Sequence, residues 1–100
     1  MAFYLLKLIP PRPSFPADAS TAEMDAMGRH ADYIHHHVDA GTVFAAGPVM
    51  DPAGTWGVAI IQAEDADAVA ELCAGDPVMK AGLGFRWEVL PMASLLAPVL

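Results

Sequence analysis

The segment Ala2–Ile9, with the sequence AFYLLKLI, predicts a strand that is apolar on both faces. Side chains alternate between the two faces of a strand, so Phe3 and Leu5 share one face and Leu6 and Leu8 share the other. A sheet with helices on one side alone normally carries polar residues on its other side. The fold must therefore cover both faces of this strand with apolar partners.

Proline and glycine delimit the elements that follow this strand. The segment PPRPSFPADAS holds four prolines and predicts a loop. The later elements are predicted as a helix from Ser20 or Thr21 to about Ala40, strands at residues 42–46 and 55–63, a helix within residues 64–75, a short helical turn at Asp76-Pro77 and a strand at residues 85–90. This order, β-α-β-β-α-β, predicts an α+β fold of the ferredoxin-like type with an antiparallel sheet.

The composition indicates that one copy of the chain is not the complete assembly. The 100 residues have the size of one domain, so we expect residues 1–100 to form a single domain. Hydrophobic residues make up 55% and charged residues only 17%, against about 25% charged in an average domain. A second copy packed sheet to sheet, in a homodimer, covers the outer face most simply. The apolar tail at residues 92–100 is then available to pack on the partner subunit.

Charge and hydropathy exclude several classes of partner. The net charge is −7 and the five Lys and Arg residues are scattered, whereas nucleic-acid binding needs clustered cations. The apolar runs at residues 42–50 and 89–100 are shorter than the roughly 18–20 residues that span a bilayer. The N-terminus lacks the pattern of a secretory leader, and the single Cys73 fits a reducing compartment. We therefore expect a cytoplasmic protein that binds neither nucleic acid nor membrane.

All four histidines lie in the segment RHADYIHHHVDAG at residues 29–41. A metal site on one helix needs two histidines three or four residues apart, and no two of these have that spacing. No metal site is therefore predicted. The triplet His35, His36 and His37 is typical of a solvated last turn, where an imidazolium favours the negative end of the helix dipole.

His30 differs from the triplet because it lies in the middle of the helix, beside Met27 and Ile34, at the border of the apolar stripe. Two interpretations stay open from the residues alone. The side chain is either a hydrogen-bonded packing residue, which the position on the helix favours, or a functional group at the edge of an opening in the core.

Two long segments, HADYIHHHVDAGTVFAAGPVMDPAGTWGVAII and AELCAGDPVMKAGLGFRWEVLPM, resemble the YCII-related family of small dimeric α+β barrel proteins. The resemblance is carried by a helical histidine eleven residues before Gly41, the AGP sequence after the second strand, a glycine-rich turn into the third strand and Asp76-Pro77 after the second helix. It spans roughly residues 28–92. The proline-rich loop and the tail depart from the family's pattern.

The resemblance implies a pocket lined by a His–Asp pair, which matches His30 and Asp76 in this sequence. Members of the family are similar to lyases that remove chloride from hydroxyquinols, and the barrel is shared with isomerases. The implied function is a lyase or isomerase that needs no cofactor, with His30 removing a proton from a small hydroxylated or carbonyl-bearing substrate and Asp76 orienting the ring. Asp76 also fits the N-cap of a helix that begins at Pro77, and the two roles are compatible.

Three further residues are candidates for substrate binding. Asp51 is either a turn residue or part of the rim of the pocket. Lys7 and Arg86 lie in strands, where they either bind an anionic substrate or pair with carboxylates such as Glu88.

Competing functions stay open beside catalysis. The chain is alternatively a noncatalytic dimeric protein that binds a small molecule, with His30 serving only as a hydrogen-bonding group. A haem-degrading relative on the same barrel is disfavoured, because it needs a larger cavity than 100 residues readily form.

Overall fold

A computed structural model describes residues 1–98 of the chain, so residues 99 and 100 of the predicted tail lie outside the described residues. The elements are β1 (Ala2–Ile9), α1 (Thr21–Asp39), β2 (Val43–Val49), β3 (Trp56–Ala63), α2 (Ala66–Ala74), α3 (Pro77–Lys80) and β4 (Arg86–Met92). The ferredoxin-like α+β fold predicted from the sequence is confirmed. None of the helices in residues 1–98 has the length and hydropathy needed to cross a membrane.

The four strands form one antiparallel sheet in the order β2-β3-β1-β4. The second strand is longer than predicted, because β2 continues through Gly47 and Pro48 to Val49 instead of ending at Ala46. In a central strand each backbone N–H donates to one of the two neighbouring strands, and proline has no N–H to donate. β2 is an edge strand with a neighbour on one side only, so N–H groups on its open side need no partner. The edge position therefore accommodates a proline that we interpreted as a strand end.

The helices cover one face of the sheet. Leu6, Val43 and Ile61 point to this side and are at most 2% exposed, where they pack with Val69 of α2. A second buried cluster forms where the sheet meets the loop after β1 and the short helix α3, and it contains Leu8, Phe15, Ala26, Val78 and Phe85. Within residues 1–98 no helix lies on the opposite face, which we call the outer face.

The outer face is apolar, as the alternation in β1 predicts. Leu5 lies opposite Ile60 of β3 and Leu90 of β4, so these three side chains form a row across the sheet. Leu90 is 48% exposed, and Leu5 and Ile60 are only half-buried. In a single chain this row is therefore incompletely covered.

The proline-rich loop is tied to the start of α1 by Arg12. Its guanidinium group donates to both carboxylate oxygens of Glu23 at 2.7 Å and to Oδ2 of Asp18 at 3.0 Å. Glu23 in turn forms a reciprocal capping box with Ser20, the N-cap residue of α1. The hydrogen bonds from Arg12 lower the pKa of Glu23 to about 2. This ion pair fixes the loop that carries Phe15 into the core.

Candidate active site

His30 and Asp76 are 46 residues apart in sequence and in hydrogen-bond contact in the fold. The Nδ1 atom of His30 lies 2.7 Å from Oδ2 of Asp76. The His30 side chain is 15% exposed, whereas that of Asp76 is fully buried. The two residues that the family resemblance pairs are therefore brought together.

Asp76 has a second structural role, because it is the N-cap residue of α3. Its Oδ1 atom accepts a hydrogen bond of 3.0 Å from the backbone N–H of Val78, and Pro77 takes the first helical position. Each carboxylate oxygen thus has a different partner. Asp76 therefore caps α3 and contacts the imidazole of His30 at the same time, as the sequence allowed.

The geometry of the pair determines which nitrogen of His30 is free. An ionised carboxylate can only accept hydrogen bonds, so Nδ1 of His30 must carry the proton that is shared with Asp76. In the neutral ring Nε2 then keeps its lone pair, and it forms no hydrogen bond with any residue from 1 to 98. A histidine held in this tautomer can take a proton from a bound molecule, and the carboxylate stabilises the resulting cation.

The ring of His30 lies at the wall of a cavity of about 620 Å³ between α1 and the helix-facing side of β2 and β3. The floor consists of small residues, Ala46, Gly57 and Ala59, which leave space where larger side chains would fill the core. The remaining lining residues used below come from α1, the loop after β1 and the ends of β3 and β4: Phe15, Met27, Ile34, His35, Val38, Thr55, Trp56, Phe85 and Trp87.

Trp87 is a neighbour of His30 that sequence reasoning missed. Its ring centroid lies 6.0 Å from that of His30, and it lines the same cavity. Its indole Nε1 is buried and has no hydrogen-bond partner among the described residues. The register places Trp87 opposite Leu8, on the helix-facing side, so strand alternation was the signal that could have placed it near α1.

Tyr33 holds α1 against the end of α2, one turn away from His30. Its hydroxyl group donates a hydrogen bond of 2.7 Å to the backbone oxygen of Leu72. Gly75 makes room for this contact, because a Cβ atom on Gly75 would lie 2.8 Å from the Tyr33 hydroxyl oxygen. Since Asp76 follows Gly75 directly, the close approach of Tyr33 also positions the carboxylate beside α1.

The three predicted substrate-binding residues lie outside the lining of the cavity. Lys7 and Asp51 both contact the side chain of Trp56: Nζ of Lys7 is 4.5 Å from the centre of a Trp56 ring, and Oδ2 of Asp51 accepts from the indole N–H at 3.1 Å. Strand alternation places this side chain on the outer face with Lys7, because the next residue, Gly57, lies opposite Leu8 on the helix-facing side. Asp51 also accepts from the backbone of Ala53, which is the predicted turn role. Arg86 pairs with Glu88 at 2.6 Å. Direct substrate binding by these three residues stays a prediction.

The histidine triplet divides among different environments. His35 lines the mouth of the cavity, His36 is exposed, and His37 is half-buried against the ring of Tyr33. Burial and repulsion from His36 lower the pKa of His37, while Asp76 opposes this shift. Residues 1–98 contain no group of three or more His, Cys, Asp or Glu side chains that could hold a metal ion.

Cys73 faces the interior near Asp76. Burial, assisted by the negative charge of Asp76, raises the pKa of the Cys73 thiol to about 11. A thiol in this state is a poor nucleophile at neutral pH. Cys73 packs against the core cluster, as a small structural residue does.

Replacing Gly75 by Ala tests the packing that positions Asp76. We expect Gly75→Ala to lower the free energy of unfolding by about 1–3 kcal/mol, because the new methyl group overlaps the Tyr33 hydroxyl. The cost should shrink in a Tyr33→Phe background, which removes that oxygen. Chemical denaturation of the single and double variants measures the coupling.

Gly28→Ala provides the matched control for this substitution. Gly28 is exposed within α1, and a Cβ atom there meets nothing within 4 Å, so we expect a gain of about 0.5–1 kcal/mol. A Gly75→Ala variant as stable as the parent protein, or equally destabilised with and without the Tyr33 hydroxyl, would contradict the account.

Comparison with known proteins agrees with this geometry at the level of the fold. One similar solved structure is that of 5-chloro-2-hydroxyhydroquinone dehydrochlorinase (TftG) from Burkholderia phenoliruptrix AC1100, in complex with 2,5-dihydroxybenzoquinone, with a TM-score of 0.60 and 24% sequence identity over 86% of this chain and 89% of that one. No curated protein matches the sequence. The model of the YCII-related domain matches residues 4–93. This chain therefore belongs to the family of proteins with a YCII-related domain.

Proposed function

We propose that this protein is a small-molecule lyase or isomerase in which His30 removes a proton from a hydroxylated or carbonyl-bearing substrate. The observation that carries the proposal is the 2.7 Å contact between His30 and a fully buried Asp76 at the wall of a cavity of about 620 Å³. A lone packing histidine needs no carboxylate behind it and no open space in front of it. The combination is typical of a general base.

The proposed reaction begins when Nε2 of His30 takes a proton from an O–H or acidic C–H group of the substrate. The electron pair of that bond stays on the substrate as a phenolate or enolate, and the imidazolium is stabilised by the carboxylate of Asp76. In a lyase acting on a C–H acid, the electron pair forms a double bond and expels a leaving group from the neighbouring carbon. On a chlorinated hydroxyquinol, the proton is first returned to the carbon that carries chlorine; chloride then leaves that carbon as another hydroxyl group loses its proton, which gives the quinone. In an isomerase His30 returns the proton to a different atom of the substrate.

The similar dehydrochlorinase supports the lyase form of the proposal. Its name describes loss of hydrogen chloride from a chlorinated hydroxyquinol, and its bound ligand is a dihydroxybenzoquinone. A quinol O–H is acidic enough to give its proton to an imidazole, and chloride is a good leaving group. Chlorinated hydroxyquinols are therefore the first substrates to test on this chain.

Lys7 and Asp51 enter the proposal through Trp56. The cation over the ring and the carboxylate on the indole N–H hold this side chain in one orientation on the outer face. We propose that the two residues stabilise the start of β3, where Trp56 and Gly57 are among the residues that line the cavity. A direct contact of Arg86 with substrate remains the alternative to its pairing with Glu88.

A noncatalytic small-molecule-binding protein is the second candidate function. The observation that favours it is the scarcity of polar groups in the lining, where His30, His35 and Thr55 are the main side chains able to act on a ligand. A general base without a second polar group to stabilise the developing negative charge is a modest catalyst. In this alternative His30 only hydrogen-bonds the ligand.

Replacement of His30 separates the two candidates. We expect His30→Asn to reduce release of chloride from 5-chloro-2-hydroxyhydroquinone by about 10²- to 10⁴-fold, because the general base is lost. The matched control is His36→Asn, which changes an exposed histidine of the same helix outside the cavity and should retain full activity.

The measurement is chloride release, together with exchange of substrate protons for deuterium followed by NMR on a panel of hydroxyquinols, quinones and lactones. Equal rates for the parent protein and the His30→Asn variant would contradict the catalytic proposal. Binding of panel members by the parent protein without turnover or exchange would favour the noncatalytic candidate.

We further propose that the protein acts as a homodimer joined through the outer face. This proposal is supported by the half-covered apolar row of Leu5, Ile60 and Leu90 and by the absence of a helix on that side within residues 1–98. The tail leaves Leu96 97% exposed on its own subunit, which supports the prediction that it packs on the partner. Burial of such a row in a second copy is the simplest way to remove it from water.

A charge in the middle of the outer face tests the dimer. We expect Ile60→Lys to shift the protein from dimer to monomer in size-exclusion chromatography with light scattering, because the interface would then bury an unpaired cation. Met24→Lys is the matched control, since Met24 is 53% exposed on α1 and lies on the other side of the sheet. A parent protein that is monomeric at high concentration would contradict the proposal.

A further inference from the structure

We infer that the ligand of the cavity is an uncharged, largely apolar molecule with more than one ring, which presents a weakly acidic hydroxyl group to His30. The inference rests on the proposed function and narrows its substrate class; the single-ring hydroxyquinol of the chloride assay is then expected to bind more weakly than a hydroxylated compound with two rings. It follows from three independent properties of the lining: its charge, its size and the position of its hydrogen-bond acceptor.

In the described part of the chain, residues 1–98, the lining contains no Lys, Arg, Asp or Glu side chain. The five cations of the chain are placed elsewhere: Arg12 pairs with Glu23, Arg29 with Asp25, Arg86 with Glu88, Lys7 lies over Trp56, and Lys80 is exposed on α3. A carboxylate or phosphate in this cavity would lose water without gaining a cation, and it would do so in a chain of net charge −7. A strongly anionic ligand is therefore disfavoured.

The size and walls of the cavity favour a molecule larger than a single ring. A volume of about 620 Å³ lies in the middle of the range of about 300–1,000 Å³ that is typical of sites for drug-sized ligands. Among residues 1–98, three aromatic side chains contribute to its wall: Phe15, Phe85 and Trp87. Aromatic walls bind ring systems well, because flat faces bury much area and stack favourably. A monocyclic ligand would leave much of this surface without contact.

The clearest polar group of the cavity is a hydrogen-bond acceptor, Nε2 of His30. Because Nδ1 of His30 is engaged by Asp76, Nε2 is the ring nitrogen that is left to accept a proton or a hydrogen bond. A hydroxyl group meets this need while remaining neutral before reaction. The ligand is thus expected to place an O–H group at one end and apolar rings along the floor of Ala46, Gly57 and Ala59.

Four probes test the inference by isothermal titration calorimetry at about pH 8, where unperturbed histidines are neutral. The probes are 2-naphthol, naphthalene, 2-naphthoate and phenol. We expect 2-naphthol to bind roughly 2- to 10-fold more tightly than naphthalene, as one added hydrogen bond predicts. The affinity for 2-naphthol should exceed that for 2-naphthoate by about tenfold or more, because the carboxylate is charged. It should also exceed the affinity for phenol by about tenfold or more, because phenol buries less apolar area.

Two variants assign these preferences to the cavity. His30→Asn should bring the affinities for 2-naphthol and naphthalene close together. Ala46→Leu fills the floor of the cavity and should weaken the binding of 2-naphthol about tenfold, with a smaller effect on the binding of phenol. The control Ala22→Leu, at an exposed position at the start of α1, should change neither affinity.

The inference is overturned if 2-naphthoate binds as tightly as 2-naphthol, if phenol does so, or if Ala46→Leu leaves all four affinities unchanged. Tight binding of 2-naphthoate that is lost in Lys7→Met or Arg86→Met would instead support the anionic substrate that these cations suggest in the sequence. The same experiment distinguishes failure of the inference from failure of the proposed catalysis. If the affinities follow the expected order but no hydroxylated bicyclic compound is turned over, the ligand class is supported and the catalytic proposal fails.

Discussion

The hydrogen bond between His30 and Asp76 is the contact on which the arrangement of the site depends. A carboxylate with no exposure to water is costly unless donors replace the lost hydration, and Asp76 has the imidazole on one oxygen and the N–H of Val78 on the other. The same side chain therefore starts α3 and fixes the His30 ring of α1. Two helices that are distant in sequence meet at one buried charge.

The cavity in front of this pair results from side chains that are too small to fill it. Ala46, Gly57 and Ala59 form a floor from which α1 stands apart, although the rest of the interior is closely packed around Leu6 and Ile61. The loop after β1 closes one end with Phe15, whose ring meets Phe85 at 5.2 Å. Unfilled apolar space beside a carboxylate-bound histidine is a combination that stability alone does not require.

Much of the fold could be predicted from the sequence because local signals agree: the apolar run of β1, the start of α1 at Ser20 or Thr21 and its end near Ala40 all match the structure. The bounds of β2 could not be predicted from the sequence. Whether a strand ends at Pro48 depends on whether that strand lies at the edge or in the centre of the sheet. The proximity of His30 and Asp76 came from the family resemblance, because periodicity carries no information across 46 residues. The contacts of Lys7 and Asp51 with Trp56 depend on tertiary packing and were not foreseen.

The most direct test of the account is the tautomer of His30, measured by long-range ¹H–¹⁵N NMR on the protein labelled with ¹⁵N-histidine at a pH where the ring is neutral. The account predicts a proton on Nδ1 and an unprotonated Nε2, because the carboxylate of Asp76 accepts from Nδ1. Asp76→Asn should weaken or abolish this preference. A His30 ring that carries its proton on Nε2, or whose tautomer is indifferent to the side chain at position 76, would contradict the claim that this pair prepares a base.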